Sequence, residues 1–355
     1  MVNPLQKVIS LEDALKLDKP IFIDMRSPSE FANGAIPGAV NLPLLDDVER
    51  SEVGTIYRLT GPEAAKRQGL ALVSAKLPGL VDGIREHYRS GRTVVVYCWR
   101  GGMRSKSVVG ILEIMGIPAY QLSGGYKGYR RYVLDSLDSF VVTPPVFTLC
   151  GSTGVGKTTL LTLLADRGAP VIDLERLANH RGSVFGSVGL GQPATAQTFD
   201  AHILQELNRL NDAPYIIVEC ESKRIGNVYL PEALFSAMNR GPKILAHADV
   251  ETRVTRLIDE YVDLYNRRHG EIHASLLALR KRLGGARTQA LVAAFDAGEV
   301  REVVRTLLVD YYDPLYGYER ADANANDYAF TVAAADLPQA AAKIIEYLNA
   351  CTQRR

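Results

Sequence analysis

The chain has 355 residues, 47% hydrophobic and 23% charged, with 30 glycines and 17 prolines. This is the make-up of a folded protein, and the length suits two domains rather than one. Apolar runs such as 93–97 and 215–218 fall well short of the roughly 18 uninterrupted residues a membrane span needs, so no transmembrane segment and no membrane partner is expected. The 41 basic and 40 acidic residues leave a net charge of +1. The whole molecule therefore has no strong field, and only a local patch could attract a polyanion.

The N-terminus, Met1 to Asp13, mixes Asn, Gln, Lys, Glu and Asp and never builds the apolar core of a secretory signal, so a cytoplasmic location is expected. The four cysteines, Cys98, Cys150, Cys220 and Cys351, have no paired zinc spacing and are too few to staple so long a chain. Free thiols are expected.

In chain order, Leu11 to Leu17 reads as helix, Ile21 to Met25 as strand, Leu80 to Ser90 as helix and Thr93 to Tyr97 as strand. Ser105 to Met115 then reads as helix and Ala119 to Leu122 as strand, an alternation that predicts a parallel sheet. The pattern stops around Asp135 to Pro145, where Thr143-Pro144-Pro145 suits neither a helix nor a central strand. A second alternation follows: Val146 to Cys150 as strand, Gly156 to Arg167 as helix, then Pro170 to Asp173, Tyr215 to Glu219 and Lys243 to Ala246 as strands. Residues Val250 to Leu308 are mostly helical in period, and the Ala-rich Ala333 to Ala342 reads as a helix. The expected fold class is α/β, with one α/β domain over 1–140 and a second, carrying a helical extension, over 141–355.

Two motifs carry chemistry. The first is Cys98-Trp99-Arg100-Gly101-Gly102-Met103-Arg104-Ser105, set between a strand and a helix. A cysteine there faces loop amides and a helix N-terminus with Arg100 and Arg104 nearby, an arrangement that stabilises negative charge on the sulfur or on a group bound to it. Gly101 and Gly102 let the backbone curl into an anion nest. Chalcogen relay and phosphate-ester hydrolysis both use such a cradle, the second because Cys98 and Arg104 also satisfy Cys-x5-Arg. The second motif is Gly151-Ser152-Thr153-Gly154-Val155-Gly156-Lys157-Thr158, a phosphate-binding loop in its strand-loop-helix context. Its amides would wrap an oligophosphate, Lys157 adds charge, and the Thr158 hydroxyl could ligate Mg²⁺. Asp173 and Glu219 are the candidates for a second magnesium ligand, and neither follows the usual strand-end pattern closely. The loop could equally hold a diphosphate that is not a nucleotide, and an apolar tail on it would need a greasy pocket that sequence does not locate.

Local charge points to a partner. Between Cys98 and Arg131, six basic residues (Arg100, Arg104, Lys106, Lys127, Arg130, Arg131) face the single acid Glu113, a net of +5. Trp99, Tyr126 and Tyr129 lie among them, so base stacking and packing both account for the aromatics. Arg240 to Arg287 holds ten basic and six acidic residues, a net of +4, which suits solvated helix faces as well as nucleic acid. The tyrosines Tyr311, Tyr312, Tyr316 and Tyr318 read as packing. His269 and His273 are four apart, but Gly270 weakens the helix and no third ligand is evident, so no metal site is expected.

The run Ile23-Asp24-Met25-Arg26-Ser27-Pro28-Ser29-Glu30-Phe31 through Ala35-Ile36-Pro37-Gly38, with the cysteine loop and Leu122-Ser123-Gly124-Gly125, resembles rhodanese domains over roughly residues 5 to 135. It departs from them at Ala35, where rhodaneses commonly carry His. A rhodanese-like domain joined to a P-loop domain, with Gly124 to Arg130, Asp173 to Ser183 and Glu219-Cys220-Glu221-Ser222 between and after them, is similar to the tRNA 2-selenouridine synthase family over nearly the whole chain. The resemblance implies geranylation of a wobble 2-thiouridine of tRNA from geranyl diphosphate, then replacement of the S-geranyl group by selenium from selenophosphate. No tightly bound cofactor is implied. On this basis Cys98 is catalytic; Arg100, Gly101, Gly102 and Arg104 hold selenophosphate; and Gly151 to Thr158 hold the diphosphate. His180, Arg181, Glu219 and Glu221 are second-site candidates, and Trp99, Lys106, Tyr126, Lys127, Arg130 and Arg131 are tRNA-binding candidates. A rhodanese-type sulfurtransferase fused to an ATP-dependent kinase or activating domain competes with this reading, and ATP turnover dependent on Lys157 would favour it. A tRNA-binding regulator with decayed sites is the third reading, and the intact Cys98 and Lys157 frames speak against it.

Overall fold

The computed structural model describes residues 7–316 and 328–352, apart from the side chains of 261–266 and 316. Two compact units emerge. One holds the described residues up to Ser139 with Thr195–Leu204, and the other holds Phe140–Ala194 with the described residues from Gln205 onward. The segment 195–204, which sequence leaves inside the second domain, thus packs with the first unit. Among the described residues no helix is long and apolar enough to cross a membrane.

The first unit is built on five parallel strands, β1 (Val8–Ile9), β2 (Pro20–Asp24), β3 (Val40–Asn41), β4 (Thr93–Tyr97) and β5 (Ala119–Leu122), in the order β1-β5-β4-β2-β3. The central strand β4 is buried from Val94 to Tyr97, as a parallel strand covered on both faces must be. Its apolar side chains join Ile21, Ile23, Val108 and Leu112 in one core. Helix Met103–Ile114 follows β4 directly. Sequence periodicity left 44–79 unassigned, and the structure places two helices there, Asp47–Leu59 and Pro62–Ser74. The first starts on a capping box, in which Asp46 accepts from Glu49 N–H and Glu49 from Asp46 N–H. It buries no residue fully.

The second unit has another parallel sheet, β6 (Val146–Cys150), β7 (Val171–Ile172), β8 (Ile216–Glu219), β11 (Lys243–His247) and β12 (Phe330–Ala333), in the order β12-β11-β6-β8-β7. A short antiparallel pair, β9 (Arg224–Ile225) and β10 (Val228–Tyr229), lies apart from it. Strand β6 feeds the phosphate loop and then helix Lys157–Asp166. The Ala-rich run is corrected: Ala333 ends β12, and the helix begins at Leu337 and runs to Thr352. Residues 250–307 form helices Val250–Arg267, His269–Ala278, Arg280–Leu283, Gly285–Asp296 and Val300–Leu307, with a π-helical turn at Leu308–Tyr312. They close on their own cluster around Leu276, Phe295, Leu307 and Tyr311. Tyr311 and Tyr312 pack there, whereas Tyr318 and the Tyr316 side chain lie outside the described residues.

Candidate active site

In each sheet a central strand delivers its motif at the carboxyl edge, where parallel α/β folds bind ligands. At the end of β4, Cys98 is 3% exposed. The Gly102 N–H donates to Cys98 Sγ at 3.2 Å, and the Ser105 hydroxyl lies 3.3 Å from it. Gln121 holds the loop from the neighbouring strand, donating to Gly101 O at 2.7 Å and to Ser105 Oγ at 3.2 Å. The turn at Gly124-Gly125 braces it from the other side: Tyr126 N–H donates to Cys98 O and Lys127 N–H to Trp99 O, both at 2.9 Å. Gly125 has φ +54°, and a Cβ there would run into Cys98 O and Gly101 N. Only glycine combines that dihedral with that approach.

The residues beside Cys98 separate into engaged and open ones. Arg104 is ion-paired with Glu30, Nη1 to Oε2 at 2.7 Å, so it does not stand open to an anion as Arg100 does. Arg130 pairs with Asp200 at 2.6 Å. Tyr126 is a correction: its ring, 1% exposed, lies over the Arg26 guanidinium, 3.8 Å from centroid to Cζ, and offers no face to a base. Tyr129 is buried as well. Buried Arg26 is in turn fixed by Asp24, Nη2 to Oδ2 at 2.6 Å. Trp99 is 38% exposed, and Arg100, Lys106, Lys127 and Arg131 are exposed too. None of these four cations has an ion pair among the described residues.

At the end of β6 the phosphate loop is held from behind. Arg253 donates to Thr153 O at 3.3 Å while bound to Asp313 through both terminal nitrogens, at 2.7 and 2.8 Å. Arg256 donates to Val155 O at 2.9 Å and to Ala335 O at 2.8 Å. Lys157 Nζ rests on Gly151 O at 2.9 Å, inside the loop it serves.

Facing Lys157 and Thr158 is a group of carboxyls that sequence named only in part. Thr158 Oγ1 donates to Glu175 Oε2 at 3.3 Å. Glu219 is buried, accepts from Glu175 N–H at 2.6 Å, and leaves Oε2 without a partner. Burial, the charge of Asp173 and that of Glu175 push the Glu219 carboxyl well above its ordinary range. Glu221 is hydrogen-bonded to Glu175, and burial, together with the charge of Glu175, pushes it up to about 8 against the pull of Lys157. Asp173 is used differently: it caps helix Leu174–Ala178, accepting from Arg176 N–H at 2.8 Å. Glu175 was missed because it sits inside that short helix; its place three residues past a strand end was the available signal.

His180 Nδ1 accepts from Gly182 N–H at 3.1 Å, and Gly186 and Gly226 pack on its ring. Gly182 approaches Glu221 so closely that a Cβ would stand 2.8 Å from the carboxylate. Arg181 pairs with Glu260 at 2.9 Å. The 180–182 loop therefore walls the carboxyl group, with His180 held below its ordinary pKa by burial. His269 and His273 each lie near Asp296, at 3.8 and 3.9 Å. Among the described residues no set of three His, Cys, Asp or Glu side chains forms a metal cage.

Thr153 has a second neighbourhood. With Ser183 it edges a pocket whose other walls include Phe185, Leu257, Phe295 and Val304. Apart from Thr153, Ser183 and Tyr312, every residue of that lining is aliphatic or Phe. The apolar cavity that sequence could not locate thus opens beside the phosphate loop.

Comparison with known proteins covers both units. Residues 8–132 match the rhodanese-like domain family, and residues 144–347 match the tRNA 2-selenouridine synthase AAA domain family. The tRNA 2-selenouridine synthase of Hahella chejuensis is 37% identical over 325 residues, 84% of each chain. That of Pseudomonas syringae pv. tomato is 36% identical over 335 residues, 86% of this chain and 90% of its own. That of Alcanivorax borkumensis is 34% identical over 328 residues, 85% and 89%. A cysteine nest and a phosphate loop on two parallel sheets, matched over about 85% of the chain at this identity, place the chain in the tRNA 2-selenouridine synthase family.

Proposed function

We propose that the chain converts a wobble 2-thiouridine of tRNA into 2-selenouridine, in two reactions each served by one of the two loops. The observation that carries this is the apolar pocket edged by Thr153. A loop built for oligophosphate beside a lining of aliphatic and phenyl groups fits a diphosphate with a hydrocarbon tail better than a nucleotide.

In the first reaction geranyl diphosphate lies with its phosphates on Gly151 to Thr158 and its chain among Phe185, Leu257 and Val304. The uridine sulfur attacks the geranyl C1, the C1–O bond breaks, and Lys157 with the loop amides takes up the charge on the departing diphosphate. The N3 proton leaves to solvent or to a carboxylate. Thr158 and Glu175 would hold a Mg²⁺ ion, which when bound supplies further charge neutralisation at the diphosphate; their 3.3 Å approach fits that use.

In the second reaction the Cys98 sulfur adds to C2 of the uridine, and the C2–S(geranyl) bond breaks to release geranyl thiolate. Selenophosphate, held by the loop amides and Arg100, then attacks C2 through selenium and expels Cys98. Water cleaves the Se–P bond to give phosphate and 2-selenouridine, which regains its N3 proton. S-alkylation is what makes the sulfur a competent leaving group.

The test is nucleoside mass spectrometry on 2-thiouridine tRNA with geranyl diphosphate and selenophosphate. Cys98→Ala should accumulate S-geranyl nucleoside without selenation, and Lys157→Ala should stop at 2-thiouridine. Loss of both products in Cys98→Ala, with folded protein, would sink the division of labour.

A further inference from the structure

The first unit has an apolar groove of its own. Helices Asp47–Leu59 and Pro62–Ser74 form one side of it through Val53, Tyr57, Leu70 and Val73, and Met103 and Arg104 form its end. Tyr57, Leu70 and Met103 are 60, 66 and 61% exposed. Large apolar side chains gathered in the open in this way mark a binding surface rather than a core. The groove carries just two charged side chains, Lys66 and Arg104, and each is matched by a carboxylate, Glu63 and Glu30. Nothing in it selects for an ion.

Its position gives it an occupant. Met103 follows Gly102, whose N–H donates to Cys98 Sγ at 3.2 Å, so one end of the groove is lined by the residue next in the chain to the cysteine nest. When C2 of an S-geranyl uridine stands at Cys98, a ten-carbon chain must leave from the same carbon through sulfur. We propose that this groove seats the geranyl chain of the modified tRNA during the exchange, as a second lipid site separate from the pocket at Thr153. The inference rests on the two-reaction reading above. It means that the chain is bound twice, once as a diphosphate ester and once as a thioether, by different walls. The groove would also hold geranyl thiolate as it departs, keeping it from the water that later cleaves the Se–P bond.

The experiment uses the full chain and an anticodon stem-loop already carrying S-geranyl-2-thiouridine, with selenophosphate alone as donor. Leu70→Gln and Tyr57→Gln, both on the surface, should each lower kcat/KM for selenation by roughly tenfold, the scale of removing one apolar group from a hydrocarbon pocket. The preference of the wild type for S-geranyl over 2-thio RNA in binding should shrink with them. Geranylation of 2-thio RNA from geranyl diphosphate should be unchanged. Full selenation by both variants, or equal losses in both reactions, overturns the groove assignment while leaving the two-reaction reading intact. If the wild type cannot selenate pre-geranylated RNA at all, that reading fails and takes the groove with it. Sedimentation completes the test: variants that turn a dimer into a monomer while selenating normally would make the groove a contact between copies instead.

Discussion

Arg104 reaches Glu30 through both terminal nitrogens, at 2.7 and 3.3 Å, so the arginine that completes the Cys98 spacing already has its counter-ion. In a phosphate-ester hydrolase that arginine must be open to the phosphoryl oxygens. Here an anion at the nest would be left to backbone amides and Arg100, the arrangement the proposed selenophosphate step uses.

The pair sets an acid limit. Burial raises the Glu30 carboxyl, but Arg104, the Ser27 N–H and Arg50 outweigh it and hold the group below its ordinary value. A carboxyl depressed in the fold adds stability above its unfolded pKa and loses it as pH falls through the folded one. Wild type should therefore lose this increment below about pH 4.3. Arg104→Ala should be about 1 kcal/mol less stable at pH 7, after allowance for solvent screening of a partly exposed pair, and should show a flatter acid limb. Thermal denaturation from pH 3 to 7 checks both.

Glu221 predicts the opposite slope. Its carboxyl is raised to about 8, so between its unfolded pKa and 8 the folded chain binds the extra proton, and stability falls as pH rises through that window. Glu221→Gln should gain in Tm relative to wild type from pH 5 to pH 8. Diphosphate binding should weaken in wild type as pH passes 8, when a second negative charge appears beside Lys157, and calorimetric titration with pyrophosphate should show that weakening blunted in the variant.

If geranyl diphosphate lies as proposed, the pocket at Thr153 separates head from tail. Phe185→Ala should raise the KM for geranyl diphosphate by roughly tenfold or more, the loss expected for several methylene equivalents of packing. Inorganic pyrophosphate, which has no tail, should bind both proteins alike. Competition assays with the two ligands read this out.

Lys127 and Arg131 are exposed and without ion pairs among the described residues. If they lie on RNA phosphates, Lys127→Ala/Arg131→Ala should reduce the slope of log K against log salt by about 1.4 to 1.8, from about 0.7 to 0.9 for each phosphate no longer neutralised. Affinities measured across a series of salt concentrations give the slope; an unchanged slope removes these two residues from the interface.

Both loops and the strands behind them were readable because their signals are local: β4 and β6 match the residues named from apolar runs, Thr93–Tyr97 and Val146–Cys150. The hairpin of Asp47–Leu59 and Pro62–Ser74 was not: its first helix buries no residue fully and its second only Ala65 and Val73. Glu175, Arg253 and Arg256 escaped for another reason. Their roles come from long-range approach to Thr158, Thr153 and Val155, and no spacing in the chain encodes it. Tyr126 misled because a tyrosine beside basic residues looks the same in sequence whether it faces solvent or covers Arg26.

Helix Val250–Arg267 touches phosphate loop and apolar pocket at once: Arg253 and Arg256 grip the loop, and Leu257, one residue on, lines the pocket. Because a helix is stiff over one turn, on the proposed reading the offset between the phosphates and the first isoprene unit would be fixed by a single rigid part. Such a part acts as a gauge. Prenyl diphosphates of every length would present the same head and the same first carbons to it, and discrimination among them falls to the far end of the pocket, where the chain stops.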